Sequence, residues 1–317
     1  MQRFRSLPAE HVPRATACPR GLLGHAADEV FAPLTSPRIK QRVKLAHLVT
    51  QWRTSVQKHV ARPAGRVLLR RWMNQKAGAA CIETLGLPRH IVDEVMGDEA
   101  LTLHVNPRKL IRMAVYAPRD VEKRPSSMAF IWDGDWDLRR EDLRVGSRYL
   151  LISDLDRNRN NLERTERFQA LMACIENGKP WGSHQLGILL DTPEKILAYL
   201  RIYLGFLDDM GRNGFAPSRG KDSIGVAVSR DGTLLKVNRG LHRLAMAQRL
   251  GLQSIPVRVR HVHRDWWNEV TDGYGGDEAL EKMQEALQAC IPEEAPGPLD
   301  EPVLVSRSKE YWPALRT

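Results

Sequence analysis

Gly240-Leu241-His242-Arg243 is the stretch of this sequence best suited to chemistry. It follows Leu234-Leu-Lys-Val-Asn238 and precedes Leu244-Ala-Met-Ala-Gln-Arg-Leu250-Gly251, a pattern of strand, tight glycine, helix and glycine stop. Glycine lacks a Cβ, so its main chain can approach a ligand closely. Amides at a helix start have no partner inside the helix, and the helix dipole adds partial positive charge there. An imidazole and a guanidinium on that first turn suit an anion, above all a phosphate. Asn238, Gly240, Leu241, His242 and Arg243 are the expected phosphate-contacting positions, with His242 also a candidate catalytic group.

Three other clusters carry possible chemistry. Asp133, Asp135 and Asp137 sit in a tight turn after the apolar run Ala129–Trp132. They suit a general base or Mg²⁺, because hard cations take carboxylate oxygens, or they form a polar turn. Their spacing lacks the rest of a calcium loop, so no metal ligand is assigned. Arg258, Arg260 and His261 follow Ile255-Pro-Val257. Strand alternation puts Arg258 and Arg260 on one face and Val257, Val259 and His261 on the other. That reads as a second anion site or as a charged edge strand. His184 and His263 read as surface or satisfied histidines.

The third cluster is electrostatic. The net charge is +10, and eleven Lys/Arg with no acid fall between Ser36 and Lys76, which leaves the rest of the chain at about −1. Ile39, Val43, Leu48, Val49, Trp52, Val56 and Val60 recur near a helical period within it. The expectation is a basic amphipathic helix over 38–60, ended near Arg62-Pro63, and a second over about 65–85. Arg38, Lys40, Arg42, Lys44, Arg53 and Lys58 are the expected contacts to nucleic acid or to an anionic membrane surface. The alternative is a helix docked on the core through its apolar side with its charges in water.

These residues need elements to position them. The chain of 317 residues is long enough for one or two domains. A 42 % apolar and 27 % charged composition is that of a soluble globular protein. No apolar run reaches membrane-spanning length and no secretory signal is evident, so a cytoplasmic location is expected. Cys18, Cys81, Cys174 and Cys290 are scattered, which argues for reduced thiols and against zinc or a disulfide framework. Asp191-Thr-Pro193-Glu194 marks a helix start with an Asp cap, and the helix breaks at Gly211–Gly214. Ile224–Val228, the turn Ser229–Gly232 and Leu234–Val237 read as a hairpin, since Asp-Gly favours that turn. The boundaries expected are an irregular segment 1–35, a basic, mainly helical region 36–125, an α+β domain 126–290 and a proline-rich tail 291–317.

The pattern Asp231-Gly232, strand, Gly240-Leu241-His242-Arg243, Ala245, Ala247, Leu250-Gly251, Ile255-Pro256-Val257 resembles the ParB/sulfiredoxin superfamily. The resemblance is firm over Ile224–His261. It implies a small mixed-sheet α+β domain with packed helices, here with an N-terminal helical extension. It also implies that Gly240, His242 and Arg243 contact the phosphates of a nucleotide, ATP or CTP, with Mg²⁺ alongside. Members of that superfamily clamp DNA using CTP, repair a cysteine sulfinic acid using ATP, or phosphorylate free serine. This chain has Leu241 where sulfiredoxins have cysteine, and no helix-turn-helix pattern follows the motif. It is also similar to a bacterial subgroup, without assigned activity, that pairs an upstream Gly134-Asp135-Trp136-Asp137 with a downstream Arg260-His261 and Trp266. Three functions follow as expectations. The first is a nucleotide-dependent phosphotransferase or NTPase acting on a small-molecule acceptor or water. The second is a nucleotide-gated DNA-binding module using 36–76. The third is a non-catalytic scaffold, with association at a membrane surface as one form of it.

Overall fold

The computed structural model describes residues 30–300 apart from 38–39, 117–124, 184–186, 220–222 and 238. Helix α1 (Lys40–Val56) runs through a π-helical turn (Gln57–Ala61) into α2 (Arg62–Met73), followed by α3 (Ala79–Thr84) and α4 (Arg89–Ala100). Strands β1 (Thr102–Val105), β2 (Arg112–Ala114), β3 (Ile131–Trp132) and β4 (Arg140–Asp142) come next. Helices α5 (Ser147–Arg157) and α6 (Glu166–Glu176), the hairpin β5 (Trp181–Ser183) and β6 (Ile188–Leu190), and α7 (Pro193–Asn213) follow. The chain ends in β7 (Ile224–Val228), β8 (Leu234–Lys236), α8 (Leu241–Leu250), β9 (Ile255–His263), α9 (Arg264–Thr271) and α10 (Gly276–Leu287). The α+β class is as expected.

The described residues fall into two compact units, one of 30–54 with 147–219, the other of 55–146 with 223–300. The sheet unit is therefore built from two separated lengths of chain, and the expected region 36–125 is divided at Thr54. The smaller unit gathers α5, α6, α7 and the β5–β6 hairpin. Its rings Phe31, Tyr199, Tyr203 and Phe206 lie within 5.0–6.4 Å of one another in successive pairs. The cap of α7 is Thr192, whose hydroxyl accepts from Lys195 N–H, while Asp191 pairs with Lys195 Nζ at 2.7 Å. The expected Asp cap is thus displaced by one residue.

In the larger unit a seven-stranded mixed sheet runs in the order β1-β9-β7-β8-β2-β4, with β3 also paired to β9. β7 and β8 form the expected antiparallel hairpin, and β9 lies parallel to β7. Ile224, Val226, Val228 and Leu234 are fully buried. The other face carries Ala227, Leu235 and Val237 against Trp132, Trp136 and Ala114. Residues 291–293 run along β8, with Leu234 N–H donating to Ile291 O and Glu293 N–H to Leu234 O.

Pro63 does not end the basic helix as expected. A proline ring clashes with the carbonyl four residues back in a regular helix. Here a π-helical turn, where the backbone is wider, lies just before it and lets the helix run on through Pro63, the second residue of α2. The second helix is also split, into α2 and α3, at Asn74–Gly78. Leu69 and Trp72 of α2 are buried, and Glu83 accepts the indole N–H groups of both Trp72 (2.7 Å) and Trp267 (3.1 Å).

Candidate functional site

Strand β8 leads directly into the glycine. Gly240 has φ +90°, the left-handed region that side chains rarely adopt, and caps α8. A Cβ there would stand 3.2 Å from Ile224 Cα and 3.4 Å from Ser223 O. The turn therefore packs against the start of β7, and only glycine fits without a shift. The first intrahelical bond is Leu244 N–H to Gly240 O at 3.0 Å, so the amides before it face out of the helix end. Leu241, His242 and Arg243 are half-buried on that first turn. Asn238 lies outside the described residues.

Lys236, which sequence reasoning passed over, sits just behind this turn. Its side chain is fully buried, and Nζ donates to Val237 O (2.5 Å) and Arg239 O (2.8 Å). Burial alone lowers its pKa to about 7. The signal was a lone cation inside the apolar run Leu234–Val237, whose strand is buried on both faces.

Arg260 reaches the same end of the sheet. Its Cγ lies 3.2 Å from where a Gly225 Cβ would stand, and its Nη2 donates to Ser223 Oγ at 2.7 Å. Ser223 is exposed and is the residue whose carbonyl borders Gly240. Arg258 is buried and turned to Asp93 and Asp98. Asp93 collects three guanidiniums, those of Arg89 (3.0 Å), Arg258 (3.3 Å) and Arg260 (3.3 Å). Burial lowers the Arg89 pKa; Asp93 opposes this, while the charges of Arg260 and Arg258 add to it. Burial likewise lowers that of His90, with Arg89 beside it.

His261 does not belong to this group, nor does it oppose Arg258. Gly225 pairs with Arg258 and Ala227 with His261, so β9 carries one extra residue between them, a bulge at Arg260. The bulge reverses the expected alternation and turns His261 onto the Gly225–Ala227 face. There it stacks on Trp132 with ring centroids 3.6 Å apart, and its Nδ1 donates to Ala129 O at 2.8 Å. It is 1 % exposed and faces no solvent.

The aspartates stand at the other end of the sheet. β3 is parallel to β9 with Trp132 opposite His263, so residues 133–137 follow the end of β9 and the Ser229–Gly232 turn. Gly240 borders Ile224, the first residue of β7. At about 3.3 Å per residue, five-residue β7 puts roughly 13 Å between the two ends. Reacting groups must meet within about 3.5 Å, so Asp133, Asp135 and Asp137 do not share a centre with Gly240–Arg243.

Their partners show what they do instead. Asp137 is fully buried and takes Arg230 N–H at 2.9 Å and Arg230 Nη2 at 2.8 Å. Burial pushes its carboxyl up, but hydrogen bonds from the Arg230 side chain and main chain, and the Arg230 charge, outweigh that and hold it below its usual range. Its hydrogen bond to Asp137 raises the Arg230 pKa against burial, and Asp135 adds to the rise. Asp135 meets Arg230 at 2.9 Å, and Asp133 meets Arg264 at 2.8 Å. His263, satisfied as expected, donates from Nε2 to Gly134 O and accepts Asp265 N–H at Nδ1. This is a latch between the acidic turn and the hairpin turn. Among the described residues no group of three or more His, Cys, Asp or Glu is placed to hold a metal ion.

Of the basic helix's apolar side, Val49, Trp52 and Val56 are 44, 69 and 39 % exposed, and Ile39 lies outside the described residues. Lys44 and Lys58 are exposed; Lys40, Arg42 and Arg53 lie on α1, and Arg38 and His184 lie outside the described residues. No helix among the described residues is long and apolar enough to cross a membrane.

The sheet, its hairpin and the glycine-led helix define an α+β domain with a cationic helix start at one sheet end. No family model, curated protein or solved structure matches this chain.

Proposed function

We infer that the sheet unit binds a phosphate-bearing ligand, a nucleotide by the ParB/sulfiredoxin resemblance, where β8 turns through Gly240 into α8. One observation carries this reading: the glycine turn packs on Ser223–Ile224, and Arg260 donates to that same Ser223. Main-chain amides, the helix dipole and a guanidinium thus gather at one partly exposed place. His242 and Arg243 add an imidazole and a second guanidinium from the first turn of α8. Lys236 lies beneath and ties down the carbonyls of Val237 and Arg239, so the turn is preformed.

A phosphotransferase or NTPase remains the favoured activity, because phosphoryl transfer rests on positioning and charge neutralisation. His242 is then the titratable group on the helix's first turn. The aspartates of 133–137 have no part in it.

The test is a thermal shift with ATP, ADP, CTP and GTP, each with and without Mg²⁺. A ligand at about a hundred times its Kd stabilises by about 2.7 kcal/mol. The expected result is a rise with at least one nucleotide, reduced by Arg243→Ala and by Arg260→Ala. No rise with any of the four overturns the reading.

A further inference from the structure

Arg258 and Arg260 lie with the start of α4, not with His261. Arg260 spans from Asp93 of α4 (Nη1, 3.3 Å) to Ser223 (Nη2, 2.7 Å). Arg89 meets the same Asp93 at 3.0 Å and Arg258 meets it at 3.3 Å. The exposed Asp98 offsets Arg258 at 3.2 Å. Asp93 can then neutralise only one of Arg89 and Arg260, and among the described residues no other carboxylate pairs with either. Their side chains are 13 and 28 % exposed, so water screens the surplus positive charge only in part.

The groups around this surplus charge are donors. A guanidinium has no acceptor, so Arg89 Nη2, 2.9 Å from His90 Nε2, makes that nitrogen the acceptor and leaves the ring proton on Nδ1. Ser223 Oγ accepts from Arg260 and keeps its own proton to donate. Burial, then the charge of Arg89, disfavours a protonated His90; Arg62 and Arg260 add to this, and Asp93 opposes it. Ser223 and Arg62 are exposed and His90 is half-buried, so the corner is open to solvent.

We propose that this corner, between the start of α4 and Ser223, binds a phosphate group, free or as a monoester, through Arg89, Arg260, His90 and Ser223. A carboxylate brings one charge and two oxygens in one plane. Donors that converge from α4, from β9 and from the residue ahead of β7 suit a tetrahedral, doubly charged group, and a guanidinium fork matches two of its oxygens. The site shares Arg260 with the Gly240 turn but does not require a ligand there, because Arg89, His90 and Arg62 lie outside that turn.

The experiment follows the histidine ring resonances of the full chain by NMR against pH, with His90 assigned through His90→Gln. Inorganic phosphate, phenyl phosphate, acetate and chloride are compared at one ionic strength. At least one of the two phosphates should move the His90 midpoint upward by about 1 or more, because an anion beside an imidazole favours its protonated form; which of them does so tells a free ion from a monoester. Arg89→Gln should weaken the binding at least about tenfold. Arg62→Gln, an exposed change that leaves the ion-pair network in place, should weaken it about two- to fivefold. Arg243→Ala should leave the His90 response intact, which separates this site from the Gly240 turn. Four results overturn the proposal: no response to either phosphate; an equal response to acetate or chloride; a response that Arg243→Ala abolishes; or one that Arg89→Gln and Arg62→Gln both leave unchanged.

Discussion

Replacing Lys236 with methionine removes a buried amine and leaves an apolar chain of similar length in its place. The folded protein releases the Lys236 proton near pH 7, whereas the unfolded chain keeps it to about 10.5. Between those values the unfolded state binds more protons, so stability rises with pH through this window. Below about pH 7 the full cost of burying the charge is present, about 5 kcal/mol for a shift of that size. From pH 7.5 to 9.5 the wild type should gain about 2.5 kcal/mol relative to Lys236→Met. The variant also loses the bonds to Val237 O and Arg239 O, a cost of about 1–3 kcal/mol per unsatisfied group, but that offset does not vary with pH. The readout is therefore a slope. Urea denaturation of both proteins, followed by tryptophan fluorescence at several values of pH, measures it. Parallel stability curves would refute the buried, neutral lysine. A slope difference with nucleotide shifts unchanged would separate its electrostatics from any part in forming the Gly240 turn.

Gly240→Ala should destabilise by about 1–2 kcal/mol, because alanine at φ +90° is strained and its Cβ meets Ile224; calorimetry checks the cost, and any nucleotide-induced shift should fall with it. Asp137→Asn should cost about 1–3 kcal/mol at pH 7, since it weakens charged hydrogen bonds from a guanidinium that stays part exposed and paired with Asp135. The Asp137 contribution is present above the normal carboxylate pKa and is lost as pH falls through the lowered folded value. Urea midpoints measured down the acid limb should thus fall less steeply in the variant than in the wild type.

Much of the scaffold was legible because it is local. The hairpin β7–β8 follows from an Asp-Gly turn between apolar runs, and α8 from a glycine at each end. α10 follows from the spacing of Ala279, Leu280, Met283 and Leu287, all buried. The candidate anion position was legible for the same reason, since Gly240, His242 and Arg243 are neighbours in the chain. What failed were statements about which distant groups meet. Asp133, Asp135 and Asp137 looked suited to act on a phosphate, yet strand direction sends them to the opposite sheet end. Strand alternation set His261 on the face opposite Arg258 and Arg260, yet a single extra residue in β9 turned it onto the Gly225–Ala227 face, against Trp132. The apolar side of the basic helix over 38–60 could equally have been a docking face, yet its described members Leu48, Val49, Trp52, Val56 and Val60 are exposed.

Residue types and short-range spacing determined the helix, the turn and the charge of this protein, because those follow from backbone sterics and neighbouring side chains. Tertiary structure alone decided that Lys236 is buried beneath the Gly240 turn, that Arg260 comes to Ser223, and that Arg230 closes over Asp137. Each of those depends on strand order, register and one bulge, which arise from packing between segments far apart in the chain and leave no periodic mark in any one of them.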